Sequence, residues 1–291
     1  MRNLVPVLTV VMAIFVIWYG AAVALNAPWA KDKAQRAGIE LGFSELVADT
    51  WSQKKPKLPA PHQVGAEIWK TTGEMVAKGR AFSKRSLIYH SWVTFSSTAL
   101  GFVLGTILGT LLAVGIVYNR TMDMSVMPWV IASQTIPILA IAPMIIVVLN
   151  AVGISGLLPK AMISMYLSFF PVVVGMVKGL RSPSAMQLDQ MRTWNASRSQ
   201  EFWRLRLPSS MPYLFTSLKI AMAASLVGAI VGELPTGAVA GLGARLLAGS
   251  YYGQTIQIWS ALIMAAALAA LLVALIGLLQ RITLKRMGMA Q

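Results

Sequence analysis

Few residues of this 291-residue chain belong to the types that carry out chemistry. Cysteine is absent, and the two histidines, His62 and His90, lack the nearby carboxylates or further ligands that a metal or catalytic site requires. No glycine-rich loop ending in Gly-Lys-Ser/Thr occurs, so we do not expect the chain to bind or hydrolyse ATP itself. The sequence therefore predicts no catalytic residues and no metal site.

Glu233 has an unusual setting among the ten acidic residues. It is the only acid within or at the edge of a long apolar run, where ionisable groups are costly and usually face a cavity or a partner. Gly241 and Gly243 follow it and would let the next loop fold tightly against the carboxylate. A role in a pathway or gate is one interpretation. The alternatives are a position in headgroup water beyond the helix end and a structural ion pair with Lys219 or Arg245. Lys219 is the less suitable partner, because fourteen residues of helix span about 21 Å.

The composition indicates an integral membrane protein. Apolar residues make up 56% of the chain and charged residues 12%, against roughly 45–50% and 25% in soluble domains. The apolar residues gather in runs of about 20 or more, the length that a helix needs to cross the hydrocarbon core. The net charge of +15 does not indicate nucleic-acid binding, because the basic residues lie between these runs rather than along one face.

Six runs are predicted to be transmembrane helices, since every backbone polar group in lipid must be paired within its own segment. The first run is longer than the apolar region of a signal peptide, so we expect it to be retained. The fold class is therefore an all-α membrane protein of six helices, at residues 4–25, 91–118, 125–150, 158–180, 212–234 and 254–279.

Two local features are expected to shape these helices. Gly101, Gly105 and Gly109 recur at every fourth residue and place a smooth stripe on the second helix, suited to close helix packing. Pro137 and Pro143 lie inside the third run and are expected to kink it, because proline removes a backbone donor.

The positions of Lys and Arg on short connections predict the orientation. Most of these bases lie on one side if both termini are cytoplasmic. The division is then residues 1–25 as the first helix, 26–90 as an extracytoplasmic segment, and 91–291 as a five-helix core with an inner loop at 181–211. A surface helix is expected around residues 67–76 of the outer segment. It is predicted either to lie along the membrane or to help bind a partner protein.

The loop at residues 181–211 is patterned as two short helices. Pro183 is suited to the first turn of one helix, and Asn195 tolerates the left-handed backbone of a sharp turn. Ser197 is a candidate cap for the second helix, which Pro208 is expected to end. The general interpretation is an interfacial helix pair whose arginines meet anionic lipid.

This loop resembles the cytoplasmic coupling loop of binding-protein-dependent ABC importer permeases. Asp189-Gln190-Met191 stands at the Glu-Ala-Ala position, Asn195 at the glycine, Leu205 at the isoleucine, and Leu207-Pro208 at the Leu-Pro end. Both alanines, the glutamate and the glycine of the family pattern are replaced. The resemblance implies that the loop contacts the ATPase through Asp189, Gln190, Met191, Arg192, Asn195, Ala196, Ser197, Leu205, Leu207 and Pro208.

Further motifs extend the resemblance to most of the chain. LPAPHQV at 58–64, IPILAIAP at 136–143, FFP at 169–171 and GELPTGAVAGLG at 232–243 are similar to the sulfonate, taurine, nitrate and thiamine-precursor branch of that superfamily. The resemblance implies a type I ABC importer permease fold in a bacterial inner membrane. It also implies a second permease copy, two ATPase subunits that hold ATP and Mg, a periplasmic binding protein, and a small polar or anionic organic solute.

Two other classes of function agree less well with the sequence. A secondary transporter or channel without an ATPase should show inverted repeats with paired broken helices, and no internal repeat is evident. A membrane enzyme acting on lipids needs clustered acids or metal ligands, whereas the four acids outside residues 26–90 lie in different connections. These are Asp123, Asp189, Glu201 and Glu233.

Overall fold

The structure is a computed structural model that describes residues 4–234 and 238–289. Every regular element in these ranges is helical, which confirms the predicted all-α class. The chain divides into two compact units, one of residues Met1–Ser91 with Ala244–Ala265 and one of Trp92–Gly243 with Ala266–Gln291. The helices, in chain order, are α1 Leu4–Ala37, α2 Phe43–Ser52, α3 Pro61–Thr71, α4 Gly73–Ala77, α5 Leu87–Tyr118, α6 Arg120–Ala132, α7 Ile138–Ala151, α8 Leu157–Leu180, α9 Ala185–Thr193, α10 Arg198–Glu201, α11 Leu207–Gly232, α12 Leu242–Tyr251 and α13 Thr255–Arg286.

Five helical segments of the described chain are long and apolar enough to cross a membrane. They are α1, α5, α8, the continuous segment that ends with α11, and α13. A sixth span exists if α6 and α7 are counted as one crossing, because together they pass the same test but are bent by 101°. The predicted six runs therefore correspond to five continuous helices and one broken pair.

The break between α6 and α7 lies at the predicted proline. A short 3₁₀ turn, Ser133–Thr135, ends α6, and Pro137 caps the start of α7 with an extended backbone. Ile136 is also extended, as expected for a residue before proline. The hydroxyl of Tyr166 donates to the Ser133 carbonyl at the bend. The kink expected at Pro137 is thus confirmed, whereas Pro143 remains inside α7.

The glycine stripe of α5 packs directly on α8. A Cβ on Gly101 or Gly105 would overlap Ser164 or Ser168 respectively, and one on Gly109 would lie 2.8 Å from the Phe169 carbonyl oxygen. The backbones can approach this closely only because side chains are absent. Close packing by this stripe is therefore confirmed.

The first helix is longer than the sequence predicted. It does not end at residue 25 but continues to Ala37. The polar side chain that marked its end, Asn26, is fully buried and bonds to the backbone of the outer segment: its Nδ2 donates to Leu58 O at 2.8 Å and its Oδ1 accepts from Lys57 N at 2.8 Å. Because Asn26 is satisfied by these groups, the helix continues past it.

The helix expected around residues 67–76 of the outer segment is divided. Helices α3 and α4 meet at Thr72, whose backbone N–H still donates to Ile68 O at 2.9 Å. The ring of Trp69 lies against Gly73, where a Cβ would approach it to 2.8 Å. Helical structure is therefore present in this segment, in two pieces.

Candidate functional site

Helix α9 of the loop begins with a reciprocal cap. The Gln187 backbone N–H donates to Ser184 Oγ at 3.3 Å, and the Gln187 side-chain oxygen accepts from the Ser184 N–H at 2.9 Å. This arrangement satisfies two backbone donors that the helix leaves unpaired. Pro183 was expected in the first turn, but it precedes the cap because Ser184 provides the stronger start signal.

The turn after α9 has the geometry predicted at Asn195. Its φ is +52°, and it is the one residue other than glycine with positive φ in the described chain. The Asn195 N–H donates to Arg192 O at 2.8 Å, and the Ala196 N–H donates to Met191 O at 3.0 Å. This pair of bonds is a Schellman closure, which holds the direction of the turn.

Ser197 caps the second helix, as predicted, with Gln200 as its reciprocal partner. The helix does not end at Pro208, so that prediction is wrong. It continues through a π-helical turn, Phe202–Arg206, into α11. In this wide turn the Leu207 N–H donates to Phe202 O, five residues back. Pro208 then falls in the first turn of α11, where its missing N–H costs no helical bond.

Arg206 ties the second helix to the end of α8. Its Nε donates to Glu201 Oε1 at 2.5 Å, and a terminal nitrogen donates to the Leu180 carbonyl at 2.8 Å. The two ion-pair side chains are only 18% and 21% exposed. The contact between Arg206 and Leu180 could not be predicted from the sequence, because the two residues are 26 positions apart.

A cleft of about 370 Å³ lies between the two helices of the loop. Asp189 lies outside it and pairs with Arg192 at 2.9 Å on an exposed surface. Leu207 and Pro208 belong to α11. The structure therefore gathers four of the predicted contact residues and separates the others. The cleft is lined by Gln190, Met191, Ala196 and Leu205 together with Gln187, Trp194, Gln200 and Arg204.

Glu233, at the end of α11, is fully buried rather than bathed in headgroup water. The Thr94 hydroxyl of α5 lies 2.9 Å from its Oε1, and the Gly243 N–H donates to its Oε2 at 2.8 Å. The Leu242 N–H donates in turn to Thr94 Oγ1 at 2.8 Å. A buried carboxylate needs such donors, and they join α5, α11 and the loop at residues 238–243, whose last two residues begin α12.

Two glycines let this loop reach the carboxylate. A Cβ on Gly241 would overlap the carboxyl group of Glu233, and one on Gly243 would lie 2.8 Å from Glu233 Cβ. Gly241 also has φ of +126°, which side-chain-bearing residues rarely adopt. The close fold of the loop predicted from Gly241 and Gly243 is thus present, and we call Glu233, Thr94, Gly241 and Gly243 the Glu233 latch.

A second cleft, of about 380 Å³, adjoins the latch. Lys160 lies in its wall, and its ammonium group donates to the Ala240 carbonyl at 3.3 Å. Asn150 and Ser155 also line this cleft, together with Gly232. The position of Lys160 near Glu233 was not predicted, because nothing in the sequence around residue 160 indicates a contact with that part of the chain.

Arg245, considered above as a partner for Glu233, is influenced by the charge of a different acid, Glu67. Burial lowers the pKa of the Arg245 guanidinium below its ordinary value, and the negative charge of Glu67 opposes this shift. Both residues belong to the unit of residues Met1–Ser91 and Ala244–Ala265.

Comparison with known proteins gives matches over most of the chain. Residues 101–289 match the family described as binding-protein-dependent transport system inner membrane component. The formylaminopyrimidine transport permease protein ThiX of Halalkalibacterium halodurans is 31% identical over 58% of this chain and 66% of that protein, just under two thirds of its length. The riboflavin transport system permease protein RibX of Chloroflexus aurantiacus is 30% identical over 78% of this chain and 80% of that protein.

Other matches carry names for aliphatic sulfonates and for nitrate, so the predicted branch is confirmed. Among solved structures, a chain of the MetNI methionine ABC transporter in an inward-facing conformation superposes with a TM-score of 0.58. It is 19% identical, over 69% of this chain and 95% of that one. At this identity the match supports the fold alone, and it confirms the predicted type I permease fold.

Proposed function

The chain belongs to the family of binding-protein-dependent transport system inner membrane components, and on that premise we propose that its loop at residues 181–211 couples a separate ATPase to the membrane helices. The chain itself is the permease component of an ABC importer for a small solute. ATP and Mg are held by two ATPase subunits, and this chain contributes no catalytic residues. Its role is therefore to transmit the motion of the ATPase subunits to the membrane helices.

The continuity of the loop with the bundle carries this proposal. Helix α9 is capped by Ser184 and joined to the second helix by the closed turn at Asn195. The second helix runs without interruption into α11, and Arg206 fastens it to the end of α8. A stiff element of this kind passes motion between packed bodies, whereas a floppy polar loop would absorb it.

The exposed surface of the loop fits a protein partner. Met186, Trp194 and Trp203 expose 79%, 68% and 64% of their surface, and the cleft next to Met191 and Leu205 is open. Exposed aromatic and methionine side chains around a cleft are typical of interaction sites. We assign this surface to the ATPase, with Asp189, Arg192, Asn195, Ala196 and Ser197 at its rim.

The remaining assembly follows from the family and from charge. A motor of two ATPases needs two coupling loops, so the permease acts with a second copy, here assigned as a homodimer. Lys and Arg on the short connections place both termini and the loop in the cytoplasm of a bacterium and residues 26–90 in the periplasm. A periplasmic binding protein delivers the solute there, and lipid surrounds the spans.

The Glu233 latch is assigned to a gate at the outer end of the pathway. Its hydrogen bonds connect α5, α11 and the 238–243 loop, so a displacement of α11 must break or carry them. The solute is a small polar or anionic organic molecule, which agrees with relatives named for formylaminopyrimidine and aliphatic sulfonates. Calorimetry on the purified binding protein would identify it.

Co-purification of the ATPase subunit tests the coupling proposal. Asn195→Val should abolish retention of the ATPase in detergent, because a β-branched residue resists positive φ. Asn195→Gly, the matched control, should retain the ATPase since glycine adopts that backbone readily. ATP-dependent uptake should likewise be lost in Asn195→Val and kept in Asn195→Gly. Uptake that needs no ATPase would favour a secondary transporter or channel. An Asn195→Val complex that still retains the ATPase and transports would refute the role of this turn in coupling.

A further inference from the structure

Lys219 lies near the middle of α11, far from either end of a membrane span. Upstream charges at Arg204 and Arg206 keep the start of this continuous segment outside the hydrocarbon. Helix α11 has 26 residues, and a span needs about 20. Wherever those 20 residues are placed within α11, Lys219 is at least six residues, or about 9 Å, from the nearer end. The lysine is therefore inside the membrane.

The immediate surroundings of Lys219 are apolar. Its Nζ lies 3.8 Å from where a Cβ on Gly277 of α13 would be, so the side chain lies along α13. Met222, Leu272 and Ile276 form a buried cluster on the same two helices. Within residues 4–234 and 238–289, no hydrogen bond or ion pair involves Lys219. An ammonium group at this depth requires water, an anion or a polar partner.

One face of α11 is left uncovered by the other helices described in this chain. Thr216, Ile220, Ala223 and Val227 are exposed and follow one another at helical spacing, and Lys219 lies at the edge of this stripe. The opposite face is covered, because Ser217, Ala221 and Ser225 are buried. Three of the four residues of this stripe are apolar. Lys219 is the single charged side chain of α11, and its ammonium group is accommodated by an aqueous pathway but not by hydrocarbon.

We propose that Lys219 faces the translocation pathway and holds the anionic group of the solute at mid-membrane, so the solute carries at least one negative charge. This inference rests on the proposed permease function and narrows its solute class. It also gives Lys219 a role distinct from that of the Glu233 latch, since about 21 Å of helix separates the two residues.

The absence of cysteine allows a direct test in the assembled transporter. Ala223→Cys introduces a single thiol one helical turn from Lys219, within about 6 Å. In proteoliposomes containing the whole complex, the thiol is reacted with a sulfonate-bearing and with a trimethylammonium-bearing methanethiosulfonate. The quantity measured is the rate of thiol modification by the anionic reagent divided by the rate for the cationic reagent. Lys219→Gln in the same background should lower this ratio by about tenfold, as expected for the loss of one charge at this distance in water.

Two controls accompany the measurement. Lys219→Arg should preserve the ratio because the charge remains. A cysteine at Val227, two turns away and also exposed, should show a weaker dependence on residue 219. The calorimetrically identified solute should be anionic.

Three results would overturn the inference. They are a thiol at position 223 that reacts with neither reagent, a rate ratio that is the same with Lys219 and with Lys219→Gln, and a cationic solute. The same preparations report ATPase retention and stimulation. A complex that keeps both yet shows no charge dependence would refute the role of Lys219 and leave the proposed function intact, whereas loss of the ATPase from the unmodified complex would refute the function itself.

Discussion

The carboxyl group of Glu233 fills the space in which a side chain on Gly241 would begin. The two residues are eight positions apart, and the backbone of Gly241 lies so close to the carboxylate that only a hydrogen atom fits between them. The Gly243 N–H, two residues further on, donates to the same carboxylate. The latch therefore depends as much on missing side chains as on hydrogen bonds.

Gly241→Ala should destabilise the permease, since the added methyl group overlaps the carboxylate and the backbone φ of +126° disfavours it. We expect a loss of about 1–3 kcal/mol, measured as the free energy of unfolding in detergent. Gly38→Ala is the control: Gly38 also has positive φ but nothing within 4 Å of a Cβ. Equal losses in the two variants would mean that strain, rather than overlap, dominates.

Glu233→Gln should lower solute uptake while the complex still assembles. The amide keeps the shape of the side chain but replaces one acceptor oxygen by a donor. The Thr94 hydroxyl oxygen lies 2.9 Å from one carboxylate oxygen and 3.0 Å from the other, so the variant loses one acceptor contact together with the negative charge. Uptake is measured in proteoliposomes containing the full complex and binding protein. Glu74→Gln, which removes an exposed ion pair with Lys78, should leave uptake unchanged; an equally active Glu233→Gln transporter would exclude a gate role.

Arg206→Ala should uncouple ATP hydrolysis from transport. It leaves Glu201 and the Leu180 carbonyl without their donor, and we expect it to cost about 1–3 kcal/mol because these groups are partly buried. Binding-protein-stimulated ATPase activity is the measurement. Arg281→Ala, which removes an exposed charge of α13 outside the loop, is the control for charge. Similar activities in both variants would argue against a tie between loop and bundle.

Gly105→Ala should separate α5 from α8, because the added Cβ would overlap Ser168 Oγ and approach the Met165 carbonyl oxygen to 3.1 Å. Thermal unfolding in detergent should show a clear loss of stability, of about 1–3 kcal/mol. Gly20→Ala in α1 is the control, because its Cβ would meet nothing within 4 Å. The higher helix propensity of alanine should raise the free energy of unfolding by about 1 kcal/mol. A stable Gly105→Ala protein would show that the helices can move apart at little cost.

Features encoded by neighbouring residues could be predicted from the sequence. The apolar runs specified the long helices, Pro137 specified the bend, and the turn at Asn195 required only contacts within five residues. Helix α12 was not predicted, because its ten residues are too few for a membrane span and no Ser, Thr, Asp or Asn stands before it as a start signal. Pro208 was wrongly predicted to end the second helix of the loop. Proline ends a helix where its missing backbone N–H would have been a hydrogen-bond donor, and the π turn before Pro208 removes the need for that donor.

The partners of the candidate site could not be predicted, because they come together only on packing. Thr94 and Glu233 are 139 residues apart, and Lys160 reaches residue 240 across the end of α8. A clue to Thr94 was present in the hydroxyl residues Ser97 and Thr98 within an otherwise apolar run. Their bonds to the carbonyl oxygen of Thr94 give that part of α5 a polar face.

The unbroken helical path from Arg198 to Gly232 covers 35 residues, or about 52 Å at the rise of an α-helix. Over such a length, rotation about a fixed point at one end is magnified at the other: a tilt of about 5° displaces the far end by some 4–5 Å. That distance exceeds the reach of any hydrogen bond around Glu233. A small angular adjustment beside Arg198 is therefore enough to separate the groups at the opposite membrane surface, with no intermediate relay.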